Sequence, residues 1–151
     1  MKEACGVVAV YSPGQQASRA AFFGIHALQH RGQESAGIAS SAGKNIQVKT
    51  QMGLVTQAFQ EKDLTDLDGY IALGHTRYST TGSSNIDNAQ PFISKSDSVE
   101  IALGHNGNLI NAVELRDELL DLDVHFQSSA DSEIIAHLIS HAPASSWSER
   151  I

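Results

Sequence analysis

The run Ile-Ala-Leu-Gly-His is written twice in this chain, at residues 71–75 and again at 101–105. Each copy is a short apolar stretch that stops at Gly-His and gives way to a polar, glycine-bearing loop. Apolar runs of this length read as buried strands. A third run, Gly6-Val7-Val8-Ala9-Val10, follows Cys5, the only cysteine. Two copies are too few for a repeat architecture. They predict two similar central strands that end at corresponding places. Thr76-Arg77-Tyr78 and Asn106-Gly107-Asn108 would then be presented at a sheet edge. Coincidence between two unrelated buried strands is the alternative.

The remaining elements follow from local signals. Ser12-Pro13-Gly14 is a turn. Ser18 is a candidate N-cap for a helix from Arg19 to His30, with an apolar face of Ala20, Phe23 and Ala27 beside Phe22, Ile25 and Leu28. Gly32 then falls where a left-handed residue often ends a helix. Ser35 to Ser40 reads as a small-residue strand, joined through Ala42-Gly43-Lys44-Asn45 to an alternating strand at Ile46 to Lys49. A short helix is expected within Gly53 to Glu61, and a polar turn from Leu64 to Gly69. Small polar residues from Ser79 to Asn85 suggest a loop that closes over a ligand. Asn111 with Glu114 predicts a capped helix from Ala112 to Leu120. Ser128-Ser129-Ala130-Asp131 opens a second helix, which Ala142-Pro143 ends. The tail from Ala144 reads as a polar run-out. Strands, a helix, more strands and two final helices, with hairpin spacing, give an α+β class with antiparallel sheet. No domain boundary appears within the chain.

Charge and cysteine content narrow the function. Ten Lys+Arg against 17 Asp+Glu leave a net charge of −7, which argues against a nucleic-acid or anionic-membrane surface. No apolar run is long enough to span a bilayer. Met1-Lys2-Glu3-Ala4 is too short and polar for a secretory signal. One cysteine makes no internal disulfide and no thiolate metal site, so a cytoplasmic setting is expected.

Several residues carry two readings each. Cys5 is a small buried hydrophobe, or a nucleophile whose base is its own α-amine once residues 1–4 are removed. Thiol and α-amine are both weak acids with ordinary pKa values near ~8, so they can share a proton near neutrality. Asn106-Gly107 is a tight turn, or a pair of uncharged donors for an oxyanion. Arg77 is a surface ion pair, or a fork for a substrate carboxylate. Asp131 is a helix N-cap, or a partner for a substrate ammonium. Arg31-Gly32 is a helix C-terminal cation, or a thiolate stabiliser. His137 and His141 stand four apart as metal ligands do, but with no third ligand apparent. His30, His75 and His105 read as structural hydrogen-bonders, with His30 or His105 an alternative base for Cys5.

Taken together, six blocks stand in a fixed order. They are Cys5-Gly6-Val7; residues 28–37, Leu-Gln-His-Arg-Gly-Gln-Glu-Ser-Ala-Gly; residues 74–82; Ala89-Gln90-Pro91-Phe92; His105-Asn106-Gly107-Asn108; and Ser129-Ala130-Asp131-Ser132-Glu133. In these the chain resembles the class II glutamine amidotransferase domain, an N-terminal-nucleophile hydrolase, over essentially its whole length. The blocks at 30–33 and 105–108 resemble the branch that works on a phosphoribosyl pyrophosphate acceptor.

The resemblance implies a four-layer sandwich, two antiparallel sheets between helical layers. It implies Cys5 as nucleophile, with Asn106 and Gly107 as the oxyanion hole. Arg77 and Thr80 would take the glutamine α-carboxylate and Asp131 its ammonium. Arg31 and Gly32 would line the thiol side, and Tyr78 to Asn85 would close over the substrate. L-glutamine is the implied partner, and hydrolysis to glutamate and ammonia the implied reaction. The ammonia would pass to phosphoribosyl pyrophosphate and open purine synthesis.

Residues 1–4 are expected to be a leader, with 5–151 the amidotransferase domain. The phosphoribosyltransferase domain of the longer relatives is not in this chain. Magnesium, and any iron–sulfur cluster, belong to that missing part, and no cofactor is expected here. Homo-oligomer formation is left open. Two other functions compete: a catalytically silent glutamine-binding module with Cys5 masked by residues 1–4, and a Cys/His thiol amidohydrolase.

Overall fold

The computed structural model describes residues 5–78, 84–96, 99–143 and 146–151. Its first strand, β1 (Gly6–Tyr11), lies antiparallel to β4 (Ile71–Arg77). The hairpin of β2 (Ser35–Ser41) and β3 (Ile46–Met52) joins the other side of β4, giving the order β1-β4-β2-β3. The chain between β3 and β4 forms two short helices, α2 (Val55–Ala58) and α3 (Glu61–Asp66). A second sheet has two antiparallel strands, β5 (Phe92–Lys95) and β6 (Glu100–Leu103).

Even-numbered residues of β1, β2 and β4 turn toward α1 (Ala17–Ala27). A Cβ on Gly74 would fall 2.6 Å from Ile25, and one on Gly24 would fall 2.8 Å from Val8. Helix and sheet therefore approach as closely as their small residues allow. Ala17, Ala21 and Ile25, spaced by four, are fully buried in that contact. Ala36, Ile38, Val55, Phe59, Leu64 and Ala72 complete this first core.

Odd-numbered residues of β2 and β4 face the second sheet: Gly37 lies against the Gln90 carbonyl, and Gly104 against Leu73. Beyond that sheet α5 (Asp131–His141) packs on β5 and β6, and α4 (Ala112–Asp121) packs on α5. Leu119, Val124 and Ile134 form a second core there. The layers run helix, sheet, sheet, helix, and the α+β expectation with two antiparallel sheets holds. A last short helix, α6 (Trp147–Arg150), stands in the expected run-out.

Several expectations are corrected. The first helix starts at Ala17 with Gln16 as N-cap; Ser18 lies inside it, buried, its hydroxyl donating to the Leu64 carbonyl. Of the expected face Ile25 is buried and Phe22 packs on the core, but Ala17 and Ala21 complete the buried stripe and Phe23 is exposed. Phe23 gave a strong hydrophobic signal, yet it is the small Ala17, Ala21 and Gly24 that let the helix reach the sheet. Gly32 is not left-handed. It is glycine because a Cβ would sit 2.7 Å from the Thr76 and Arg77 backbone. The polar turn expected at Leu64 to Gly69 begins instead inside α3. Asn111 precedes α4 without a side-chain capping bond. The two Ile-Ala-Leu-Gly-His copies lie in different sheets, and only the first is a central strand. The second copy leaves β6 after Leu103, and the two histidines meet. β5 had no counterpart in the sequence reading.

Gly37 offers a direct check on this packing. A Cβ there would stand 2.1 Å from the Gln90 carbonyl oxygen. Gly37→Ala is expected to lower stability by about 2 kcal/mol or more. Gly104→Ala, which meets only Leu73 side-chain atoms at 3.5 Å or beyond, serves as the tolerated comparison. Equal urea midpoints for the two variants would contradict the close sheet-to-sheet contact.

Candidate active site

The β1–β4 ladder pairs Gly6 with Thr76, which leaves Cys5 beside the end of β4. The Cys5 Sγ lies 3.4 Å from the Tyr78 amide nitrogen, which donates to it, and 3.7 Å from the Tyr78 carbonyl. Arg31 Nε donates to the Cys5 carbonyl at 3.1 Å. The cysteine is half-buried, so its thiol is neither sealed in the core nor freely exposed.

That thiol opens on a cavity of about 530 Å³. This lies within the range of small-molecule sites, roughly 300–1,000 Å³. Cys5, Arg77, Tyr78, Asn106, Gly107 and Asp131 all line it. Four separate stretches of sequence therefore converge on one space. Arg31 and Gly32 do not line it. Arg31 acts on the Cys5 backbone from behind, and Gly32 packs under Arg77. Thr80 and most of the expected closing loop, residues 79–83, lie outside the described residues, as do residues 1–4. His30 is exposed, bonded to the Ala27 carbonyl, and does not line the cavity.

Sequence reasoning passed over several supporting groups. The buried Arg77 guanidinium is ion-paired with Glu34, at side-chain exposures of 7% and 13%. The carboxylate fixes the plane of the guanidinium. Losing one partner of such a pair strands a buried charge, at about 3–5 kcal/mol. Glu34 was in view, inside the block at 28–37, but nothing marked it as the partner of a residue 43 positions away. Arg116 covers the Phe126 ring at 4.1 Å and donates to the Ala130 carbonyl at 3.3 Å, bracing the segment before Asp131. Asp131 opens α5, and its Oδ2 accepts from the Leu109 amide at 2.7 Å. Gln90, His105 and Ser132 also line the cavity.

Two groups around the site are shifted from their ordinary pKa values. Burial raises the Glu133 carboxyl, but the nearby His137 ring, the Gln127 and Ser128 amides and the Ser128 hydroxyl outweigh it and leave it at about 2. The amides and hydroxyl, at 2.6–2.8 Å, are its close partners; His137 stands off at 3.8 Å. His137 and His141 belong to this structural cluster: the first contacts Ser94 and Phe126, the second the His137 carbonyl. Among the described residues no three ligand-type side chains gather for a metal ion.

His75 is fully buried, and burial pushes it down to about 4; the bond to the His105 carbonyl opposes the shift. Its Nε2 donates to that carbonyl at 3.2 Å, so the ring is neutral with Nδ1 as the bare nitrogen.

The family-level comparison is decisive. The profile of the glutamine amidotransferase domain matches residues 60–148, more than half of the chain. The chain belongs to the glutamine amidotransferase domain family. Amidophosphoribosyltransferase of Synechococcus elongatus is 53% identical over 143 residues, covering 95% of this chain and 29% of that protein. The amidophosphoribosyltransferase of Methanocaldococcus jannaschii is 49% identical over 136 residues, 89% of this chain and 29% of that one. Among solved structures, glutamine phosphoribosylpyrophosphate amidotransferase from B. subtilis, complexed with ADP and GMP, superposes with a TM-score of 0.85 at 37% identity. It covers 97% of this chain and 31% of that one. A structure titled for the allosteric regulatory enzyme of purine biosynthesis gives 0.86 at the same identity, covering 97% of this chain and 31% of that chain. The N-terminal-nucleophile hydrolase fold expected of an amidotransferase domain stands. The chain spans about 30% of the length of the curated relatives it matches.

The neutral His75 makes the domain acid-sensitive. Between about pH 6.5 and 4 the unfolded chain binds a proton there and the folded one does not, so stability falls as pH is lowered through that window. The expected loss is on the order of 3 kcal/mol. Urea midpoints at pH 7.5 and 4.5 should fall less for His75→Gln than for the parent. Equal falls would contradict this assignment.

Proposed function

We propose that this chain is the glutaminase portion of an amidophosphoribosyltransferase. It hydrolyses glutamine to glutamate and ammonia through a γ-glutamyl thioester on Cys5. The observation that carries the reading is the single cavity shared by Cys5, Arg77, Asn106, Gly107 and Asp131. A thiol, a cation, two uncharged donors and an anion are the groups a zwitterionic amide substrate needs. Arg77 takes the α-carboxylate and Asp131 the α-ammonium, holding the side-chain amide over sulfur.

The reaction runs in two halves. The α-amine of Cys5, exposed by removal of residues 1–4, accepts the thiol proton. Sulfur attacks the amide carbon, and a C–S bond forms. The amide oxygen becomes an oxyanion facing the Asn106 side-chain amide and the Gly107 N–H. The protonated amine returns its proton to the leaving nitrogen, the C–N bond breaks and ammonia departs. Water then gives a proton to the same amine and attacks the thioester. The C–S bond breaks, the proton returns to sulfur and glutamate is released. Arg31 holds the Cys5 carbonyl and so fixes the backbone on which both sulfur and amine are carried.

In the longer protein the ammonia passes to phosphoribosyl pyrophosphate and gives 5-phosphoribosylamine. Magnesium belongs with that acceptor site, outside this chain.

Two results test the reading. Asp131→Ala is expected to raise the KM for glutamine at least tenfold; an unchanged KM would remove Asp131 from the substrate. Arg77→Ala should cost more in kcat/KM than Arg77→Lys, because lysine loses the two-bond fork but keeps the charge that attracts the carboxylate. Intact mass separates the silent-module reading: activity should appear only in the form that begins at Cys5.

A further inference from the structure

We propose that Gln90 is the positioning residue of the oxyanion-binding loop, and that it sets the geometry of Asn106 and Gly107 through its hold on His105. This rests on the glutaminase reading above. Gln90 is buried, at 5% exposure, in the connection before β5. Its Oε1 accepts from the His105 amide at 2.7 Å, and its Nε2 donates to Ser132 Oγ at 3.2 Å. One carboxamide thus joins the start of the loop to the start of α5, where Asp131 stands.

The loop is tied at both ends, to buried partners at His105 and to the half-buried Asp131 at Leu109. His105 has its N–H on Gln90, its carbonyl on His75 and its ring Nδ1 3.1 Å from Ser132 Oγ. Leu109 has its N–H on Asp131. Between them Asn106, Gly107 and Asn108 are exposed. They make no hydrogen bond of their own among the described residues. A loop clamped at its ends, with uncommitted donors at its apex, is a preorganised anion receptor.

The residue type fits the task. The His105 N–H needs an acceptor, and the Ser132 hydroxyl receives a donor; a neutral carboxamide supplies both from one side chain. The backbone of Gln90 is itself fixed, because its carbonyl abuts Gly37, where no Cβ fits. A leucine at position 90 would fill similar space and leave the His105 amide buried without a partner. The loop would then shift to find one, carrying its apex donors off the oxyanion.

Two reagents read that shift separately. A chloromethyl ketone analogue of glutamine reacts through addition of sulfur to its carbonyl. This forms an oxyanion before chloride leaves and the thioether is made. Iodoacetamide alkylates the same thiol by direct displacement of iodide, with no oxyanion. Cys5 is the only cysteine, so both labels are unambiguous.

In Gln90→Leu the rate with the ketone is expected to fall roughly tenfold or more, with the iodoacetamide rate within about twofold of the parent. Gln90→Asn, which withdraws the carboxamide by one methylene, should shift the ratio in the same direction and serves if the leucine variant does not fold. An unchanged ratio, or an equal fall with both reagents, would overturn the proposal. A parent chain beginning at Cys5 that reacts no faster with the ketone than with iodoacetamide would overturn the glutaminase reading itself. That failure is seen before any substitution is made.

Discussion

Six residue pairs hold β1 against β4, from Gly6–Thr76 to Tyr11–Ile71, and the site exists because of where that ladder stops. One residue beyond its end, Cys5 meets the backbone of Tyr78. On the neighbouring strand Arg77 is the last residue of β4, with its guanidinium buried against Glu34. A one-residue slip in an antiparallel pair turns every side chain to the opposite face. The Cys5 sulfur and the Arg77 guanidinium are thus fixed relative to each other by main-chain hydrogen bonds. The first sheet supplies these two, the loop after β6 supplies Asn106 and Gly107, and the start of α5 supplies Asp131.

That division explains the use of small residues between layers. Gly74 admits Ile25 on one side of the first sheet, and Gly37 admits the Gln90 carbonyl on the other. Both contacts bring elements distant in sequence to a spacing that side chains would prevent. The second contact also reaches the site, since Gln90 bonds to His105. Sheet packing and donor placement are therefore one arrangement, and a change at Gly37 should be felt at the loop.

Much of this was legible in the sequence, for identifiable reasons. β2, β3 and β4 were readable because short apolar or alternating runs are bounded by turn residues. Cys5, Arg77, Asn106 and Asp131 were singled out because their ordered blocks resemble a known family; the local signal at each left a second reading open. The helix face was legible only in part: Ile25 was in view, but Ala17 and Ala21 carry a weaker hydrophobic signal than the exposed Phe23. The role of Gly32 was misassigned because a glycine after a helix reads as a cap, whereas its reason lies 45 residues away in the backbone of Arg77. Glu34 and Gln90 were quoted within blocks but given no part. Glu34 finds Arg77 only through the pairing of β2 with β4, and Gln90 finds His105 only once the chain is folded. The echo at 71–75 and 101–105 suggested equivalent strands; its physical consequence is instead a contact between its two histidines.

The most direct measurement follows the sulfur and the amine of one residue together. The chain beginning at Cys5 is mixed with glutamine, quenched in acid during turnover and analysed by intact and peptide mass. A single γ-glutamyl group on the Cys5 peptide is expected, and it should be absent when the α-amine has been acetylated beforehand. Ammonia released at an undiminished rate from the acetylated chain, or turnover with no adduct on Cys5, would contradict the mechanism.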